Sequence, residues 1–302
     1  MAKTIWITGA AGFSACYLAA NLRRAEPGSR LVGLARRPAS NADFNAWHTL
    51  DVTDAAALHQ AVAADPPDLV YHLAGAVHPA AEETLWFTNA AATRLLIEAV
   101  AVAKKSQVRV LVVSSAAVYR PSLAKVSESA PTGGANAYGR SKWAQEQIAL
   151  ASGREFGVGI YIARSFNLLG PGLPPRLLAG SLCAKLQQPG NLAIQLGNLS
   201  SLRDFIDVRD AVEAYRLIAT KGRRNHIYNV CSGRATRSRT LARRLCDLAG
   251  KPRRIEECAS PNKHGVDCSV GDPGALKALG WQPSIPLLRT LRDMLEHAAI
   301  NP

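Results

Sequence analysis

Residues 3 to 15, KTIWITGAAGFSA, constrain the fold more than any other stretch. An apolar run from Lys3 to Thr8 meets two glycines three residues apart, Gly9 and Gly12, and passes straight into a helix-forming segment near Cys16. Gly9 permits a tight turn. Gly12 lets backbone approach a pyrophosphate, and the helix that follows offers unpaired N–H groups and the positive end of its dipole. Phe13 and Ser14 open that helix and join the two glycines as candidate cofactor contacts. Ala15 stands where a third glycine often sits, and its methyl still permits close packing. A glycine turn set between a strand and a helix points to an α/β chain that binds a dinucleotide.

Later segments keep the strand–helix rhythm. Arg30 to Ala35 reads as a second strand and ends in Arg36-Arg37. No carboxylate stands there to take a ribose 2′-OH, whereas two guanidiniums suit a 2′-phosphate, so NADP(H) is expected in preference to NAD(H), with Arg36 the better candidate. Asp51-Val52 ends a third strand, at a place suited to the adenine edge. Asp68 to Leu73 is a fourth, and Leu73, Ala74 and Gly75 let a cofactor lie close to backbone. His78 follows in a loop as a candidate substrate contact. Glu82 to Lys104 has helical periodicity, with Asn89 a candidate hydrogen-bonding support. Val108 to Ser114 and Gly157 to Ala163 are continuous apolar runs, as expected of parallel strands covered on both faces. The alternation predicts a Rossmann-like, doubly wound parallel sheet. It breaks from Arg164 to Pro175, a crossing into a smaller C-terminal substrate-binding lobe. The expected division is 1–164 plus about 206–232 for the dinucleotide-binding domain, and about 165–205 plus 233–302 for the lobe.

Ala137 to Gln145, AYGRSKWAQ, places Tyr138 and Lys142 four residues apart at the start of a helix, hence on one face. A cation beside a phenol of reference pKa about 10 favours the phenolate, so Lys142 is expected to move Tyr138 towards proton transfer at neutral pH. Ser115 follows the run 108–114, at the end of a strand where open α/β sheets bind ligands. It is expected to orient a carbonyl or hydroxyl while Tyr138 exchanges its proton; Ser114 is a close rival for that part.

The 302 residues, 48% hydrophobic and 20% charged, exclude disorder and suffice for two interlocked lobes. Lys and Arg outnumber Asp and Glu by 36 to 23, a formal +13 that attracts polyanions. The excess gathers between positions 221 and 254, where eleven cations face only Asp247. No nucleic-acid motif accompanies them, so a solvated helix face is expected and a nucleic-acid partner is not. The first residues show no signal-peptide pattern and no apolar stretch reaches membrane-spanning length, which points to the cytoplasm. The six cysteines form no C-x-x-C pair and no zinc-type spacing, so reduced thiols and no metal site are expected.

Taken together, TGAAGFSA, HLAG at 72–75, SSAAVY at 114–119, YGRSK at 138–142, RSFNLLGPG at 164–172 and RDFIDVRD at 203–210 resemble the extended short-chain dehydrogenase/reductase family acting on nucleotide-diphosphate sugars. The resemblance covers nearly the whole chain. It implies Ser115, Tyr138 and Lys142 as the catalytic set, Asn167 and Arg203 as contacts to the substrate diphosphate, and a homodimer paired through helices at 82–104 and 138–156.

Departures from the family pattern narrow the implied reaction. Family dehydratases carry proton-transferring side chains directly after the catalytic Ser or Thr; this chain has Ala116-Ala117. The cysteine and histidine of epimerising GDP-fucose synthases are also missing from that region. The YNVCSG segment and general layout look most similar to GDP-4-keto-6-deoxy-D-mannose reductases, which form GDP-D-rhamnose. The resemblance therefore implies NADPH-dependent reduction of a nucleotide-linked 4-keto-6-deoxy sugar. A 4-epimerase and a non-catalytic NADP(H)-binding regulator are the alternatives. Arg120 replaces a glycine common after the SxxxVY motif, and Lys263 or His264 stands where an arginine often contacts nucleotide.

Overall fold

The computed structural model describes residues 2–39, 41–104, 108–190, 193–197, 199–257 and 268–300. In chain order the strands are β1 (Thr4–Thr8), β2 (Arg30–Ala35), β3 (Ala46–Thr49), β4 (Leu69–His72), β5 (Arg109–Ser115), β6 (Gly159–Ser165), β7 (Asn167–Leu169), β8 (Ile194–Leu196), β9 (Leu202–Asp207), β10 (His226–Val230), β11 (Ala235–Arg237), β12 (Ile255–Glu257) and β13 (Cys268–Ser269). The helices are α1 (Phe13–Ala25), α2 (Ala55–Ala64), α3 (Glu82–Leu85), α4 (Ala92–Lys104), α5 (Ala137–Glu155), α6 (Leu178–Gln187), α7 (Val208–Lys221), α8 (Ser238–Leu248), α9 (Gly274–Lys277) and α10 (Leu287–Ile300).

The main sheet has the order β10-β6-β5-β4-β1-β2-β3, with every neighbouring pair parallel. Alternate residues of its strands serve opposite layers, which is why these strands read as unbroken apolar runs. Ile5, Ile7, Leu31, Tyr71, Leu111 and Ala163 pack with α1 and α7, while Trp6, Val32, Val70, Val112 and Ile162 pack with α2, α4 and α5. Burying each such side chain contributes roughly 1.5–3 kcal/mol, so the two layers are the chief support of the fold. Strand order reverses between β1 and β4, and the crevice at their carboxyl ends is where such sheets take ligands.

A third apolar cluster joins α6, α8 and α10 around Leu182, Leu196, Leu245 and Leu291. Beside it, β9 pairs with β7, β11 and β13, and β12 pairs with β8. Asp204 on β9 is fully buried and accepts from the Ser232 N–H and hydroxyl, the Gly233 N–H and the Gly271 N–H. One carboxylate thereby ties three separate stretches of chain.

Two elements differ from the sequence expectation. β6 runs on through Arg164 and Ser165, where a break was expected, because both residues find buried partners: Arg164 pairs with Glu146 and Ser165 bonds to the Tyr215 hydroxyl at 2.6 Å. The 82–104 helix contains a π-helical turn, Trp86–Ala91, which carries Asn89 into the interior. The 21-residue run Glu82–Val102 has the length and mean hydropathy of a membrane span, but Arg94 and Glu98 interrupt it and over half of it is covered by the fold, where it packs on α2 and α5.

Several cations of the 221–254 region staple backbone rather than stand free. Lys251 donates to the Leu186 carbonyl at 2.6 Å and Arg253 to the Gln188 carbonyl at 3.1 Å, capping the carboxyl end of α6, where cations are favoured. Arg224 holds the Gly157 carbonyl. Cys16, Cys183, Cys231, Cys246 and Cys268 are unpaired thiols.

Candidate active site

The glycine turn is built as its sequence dictates. Gly9 has φ +65, and a Cβ on it would lie 2.9 Å from the backbone of Ala74. Only glycine lets the end of β1 come so close to the loop after β4. Gly12 precedes α1, and no side chain caps that helix. The N–H groups of its first turn, at Phe13 and Ser14, are thus left for an anion. Across the crevice Gly75 is exposed; a Cβ there would fall 2.9 Å from Asn89 Oδ1 and 4.0 Å from Lys142 Nζ. Two glycines facing backbone and an uncapped helix start make a cradle of the kind a dinucleotide fits.

Arg36 and Arg37 follow β2 and are both exposed. Asp51 is held below its ordinary range, chiefly by the Thr53 backbone N–H and also by Arg36, which therefore lies on the Asp51 side of the crevice. Val52 is buried with Ala74 and Ala92. Leu73 is partly buried against the α1–α7 layer.

Tyr138 is brought to Ser115 by a glycine and a cap. Asn136 caps α5 by accepting the Gly139 N–H at 2.8 Å. A Cβ on Gly139 would lie 2.3 Å from the Ala117 carbonyl oxygen, so the first turn of α5 presses on the segment after β5. The preceding loop is pinned by Arg120, whose Nε donates to the Thr132 carbonyl at 3.1 Å; this gives the unexpected arginine a structural part. The half-buried Tyr138 hydroxyl comes within hydrogen-bonding reach of Ser115, whose oxygen also accepts the Ala117 N–H at 3.2 Å. Ser114 instead donates to Glu146 Oε1 at 2.5 Å, further along α5. Of the two β5 serines, Ser115 alone faces the phenol.

Lys142 is buried and its Nζ donates to the Val113 carbonyl at 2.7 Å. Burial lowers its pKa to about 8, with Glu146 pulling the other way. Tyr138 is raised above its ordinary value by burial, and the Ser115 hydroxyl offsets this in part. The depression expected from Lys142 is not what this arrangement produces, because burial of the phenol dominates. The phenol keeps its proton at neutral pH and is poised as an acid.

Behind this set lies a fully buried polar chain. His72 Nδ1 meets Thr8 Oγ1 at 2.8 Å and its Nε2 meets Thr93 Oγ1 at 3.0 Å. Thr93 spends its one hydroxyl proton on the Asn89 carbonyl and Thr8 accepts the Ala74 N–H, so His72 is neutral and protonated on Nε2. Burial, with Lys142 nearby, holds its pKa down to about 3. Asn89 clamps Ala76 through both its N–H and its carbonyl, at 2.8 and 3.0 Å, and donates to Ser141.

His78 is exposed in the loop after Gly75. Asn167 donates to the Asp204 carbonyl at 2.9 Å. Asn167 is register partner to Phe205, which puts Arg203, two residues along β9, on the same face. Lys263 and His264 lie outside the described residues. Glu146 and Arg164, buried partners of the set, escaped notice in the sequence; the signal was present in Tyr138, Lys142 and Glu146, at i, i+4 and i+8. A separate cavity of about 280 Å³ opens between α6 and β8, lined by Arg176, Ser181, Lys185 and Gln195 among others.

Known proteins resemble this chain in sequence and in fold. A dTDP-6-deoxy-L-talose 4-dehydrogenase (NAD(P)(+)) of Kitasatospora kifunensis is 29% identical over 306 residues, covering 95% of this chain and 93% of that one. A GDP-6-deoxy-D-mannose reductase of Pseudomonas aeruginosa is 30% identical over 171 residues, covering 53% of this chain and 55% of that one. The solved structure of RMD from Pseudomonas aeruginosa complexed with NADPH superimposes with a TM-score of 0.87 at 26% identity, covering 99% of this chain and all of that one. Residues 5–231 match the family model described as the NAD dependent epimerase/dehydratase family, and the chain belongs to that family.

Proposed function

We propose that this protein is an NADPH-dependent reductase of a nucleotide-diphosphate 4-keto-6-deoxy sugar, of the GDP-4-keto-6-deoxy-D-mannose reductase type. The observation that carries the reading is the convergence of Ser115, Tyr138 and Lys142, with Ala116 and Ala117 beside them offering no second group to move protons on or off carbon. A bound nicotinamide would supply the hydride that turns the C4 carbonyl into an alcohol. Tyr138 gives its proton to the sugar oxygen, a part suited to a phenol raised by burial. Ser115 donates to the same oxygen and Lys142 stabilises the phenolate left behind, which electrostatics favours while the amine is charged.

Gly9, Gly12, Phe13 and Ser14 would hold the pyrophosphate, Arg36 and Arg37 the 2′-phosphate, Asp51 and Val52 the adenine side, and Leu73 to Gly75 the nicotinamide end. Asn167 and Arg203 would take the sugar diphosphate, with His78 at its margin. The cationic cavity beside α6 suits the nucleotide. The lobes would divide near 164, 206 and 232. Trp86, Phe87 and Trp143 stand exposed on the α3–α4 run and α5, which supports a homodimer through those helices; the cytoplasm is the proposed location.

The test is a panel of nucleotide-linked 4-keto-6-deoxy sugars with NADPH, following loss of the reduced cofactor. Turnover of at least one, with NADH markedly poorer, supports the reading. Interconversion of 4-hydroxy sugars without added cofactor would identify a 4-epimerase, and inertness towards the whole panel would favour a binding protein.

A further inference from the structure

The carboxylate one turn beyond Lys142 has no part in the reaction as written, yet it sits at the centre of the buried polar groups behind it. Glu146 is fully buried, and Arg164 on β6 is 3% exposed. Arg164 Nε donates to Glu146 Oε1 at 2.9 Å and its Nη2 to Oε2 at 2.7 Å, a two-pronged pair. Oε1 also takes the Ser114 hydroxyl at 2.5 Å. Arg164 further holds the Glu128 carbonyl and lies over the Tyr119 ring, 4.7 Å from its centre. Side chains at i, i+4 and i+8 share one helix face, so Tyr138, Lys142 and Glu146 form a row along α5.

We propose that Glu146 is a positioning residue for this row: by engaging Ser114 and Arg164 it turns Ser115 alone towards Tyr138 and sets a negative charge one helical turn behind Lys142. The inference rests on the reductase reading, since it gives Lys142 its charged form in that reaction. A buried ion pair adds little stability against an apolar pair of like volume, so its presence here is accounted for by the charge it places. Lys142 lies between Tyr138 and Glu146 along α5 and is faced by the Val113 carbonyl from β5, by neutral His72 from β4 and by Gly75 from the loop beyond. Glu146 is the one anion of this set. Burial works against the Lys142 ammonium and Glu146 favours it.

The test reads Lys142 itself. In cofactor-free protein carrying 13C-labelled lysine ε-carbons, the Lys142 resonance is assigned by its loss in Lys142→Met and titrated with pH in wild type, Glu146→Gln and Arg164→Met. Glu146→Gln is expected to lower the midpoint by about one pH unit, as loss of a nearby opposite charge does. Arg164→Met breaks the same pair but leaves the carboxylate, and is expected to hold the midpoint or raise it. The basic limb of the kcat/KM profile should move with the resonance. Should Glu146→Gln fold poorly, Glu146→Leu with Arg164→Met removes both charges and keeps an apolar filling; the lowered midpoint is expected there too. A midpoint unmoved by loss of Glu146, or lowered equally by Arg164→Met, overturns the proposal. No substrate enters the titration, so its failure is distinct from failure of the 4-keto-sugar assay.

Discussion

Lys142 spends a 2.7 Å hydrogen bond on the Val113 carbonyl, the backbone of the strand that ends in Ser115. The ammonium therefore ties α5 to β5 as well as supplying charge. Its tie and the press of Gly139 on the Ala117 carbonyl hold the phenol over the strand end from both sides.

Replacing Tyr138 with Phe removes the proton donor and little else. Turnover is expected to fall by about 10²–10⁴-fold, the usual worth of a positioned acid. Because the ring stays, the melting temperature and the NADPH dissociation constant should be nearly unchanged. Stopped-assay kinetics beside calorimetry check this, and unimpaired turnover would remove Tyr138 from the mechanism.

Acid stability should depend on His72. Its pKa is about 3 in the folded chain and about 6.5 when unfolded, so between these values the unfolded state binds more protons and stability falls as pH falls. The slope is about 1.4 kcal/mol per pH unit from this group alone. His72→Gln should be less stable at pH 7, through lost bonds to Thr8 and Thr93, but should show a shallower decline towards pH 4. Denaturant unfolding at several pH values measures both.

Cofactor choice should turn on the two arginines after β2. Arg36→Ser with Arg37→Ser is expected to weaken NADPH binding by about 10–100-fold, as loss of charge-assisted hydrogen bonds does, and to leave NADH within a few fold. Calorimetric titration of each cofactor decides it. An equal loss for both would place the arginines elsewhere than at a 2′-phosphate.

Gly9→Ala should be costly twice over. The left-handed φ of +65 disfavours any Cβ by about 1–2 kcal/mol, and the new methyl would meet the Ala74 backbone at 2.9 Å. A fall of several degrees in melting temperature and a loss of NADPH affinity are expected, read by thermal shift with and without cofactor.

Much of this was legible in the chain. The seven-stranded sheet follows from apolar runs and punctuating glycines, since a strand covered on both faces leaves a signal at every residue. The pairing of Tyr138 with Lys142 was equally plain, because helical spacing puts both on one face of α5. What stayed hidden were contacts between distant segments. Nothing local in Ser114-Ser115 says which hydroxyl meets Tyr138 and which meets Glu146, 32 residues on. Arg164 read as part of a loop because its charge suits one, and only its pairing to Glu146 makes it strand. The direction of the Tyr138 shift also escaped, as it depends on desolvation by distant parts of the chain. The short strands β8, β12 and β13 are too brief for any period to show.

Asp204 fastens the turn at 232–233 and the backbone at Gly271 to β9. That carboxylate works as a rivet: Arg203 beside it travels only with both of those stretches, so the strand that carries it is a fixed jaw. The wall of the lobe formed by α6 lies outside the reach of this rivet and is held separately, by Lys251 and Arg253 at its carboxyl end.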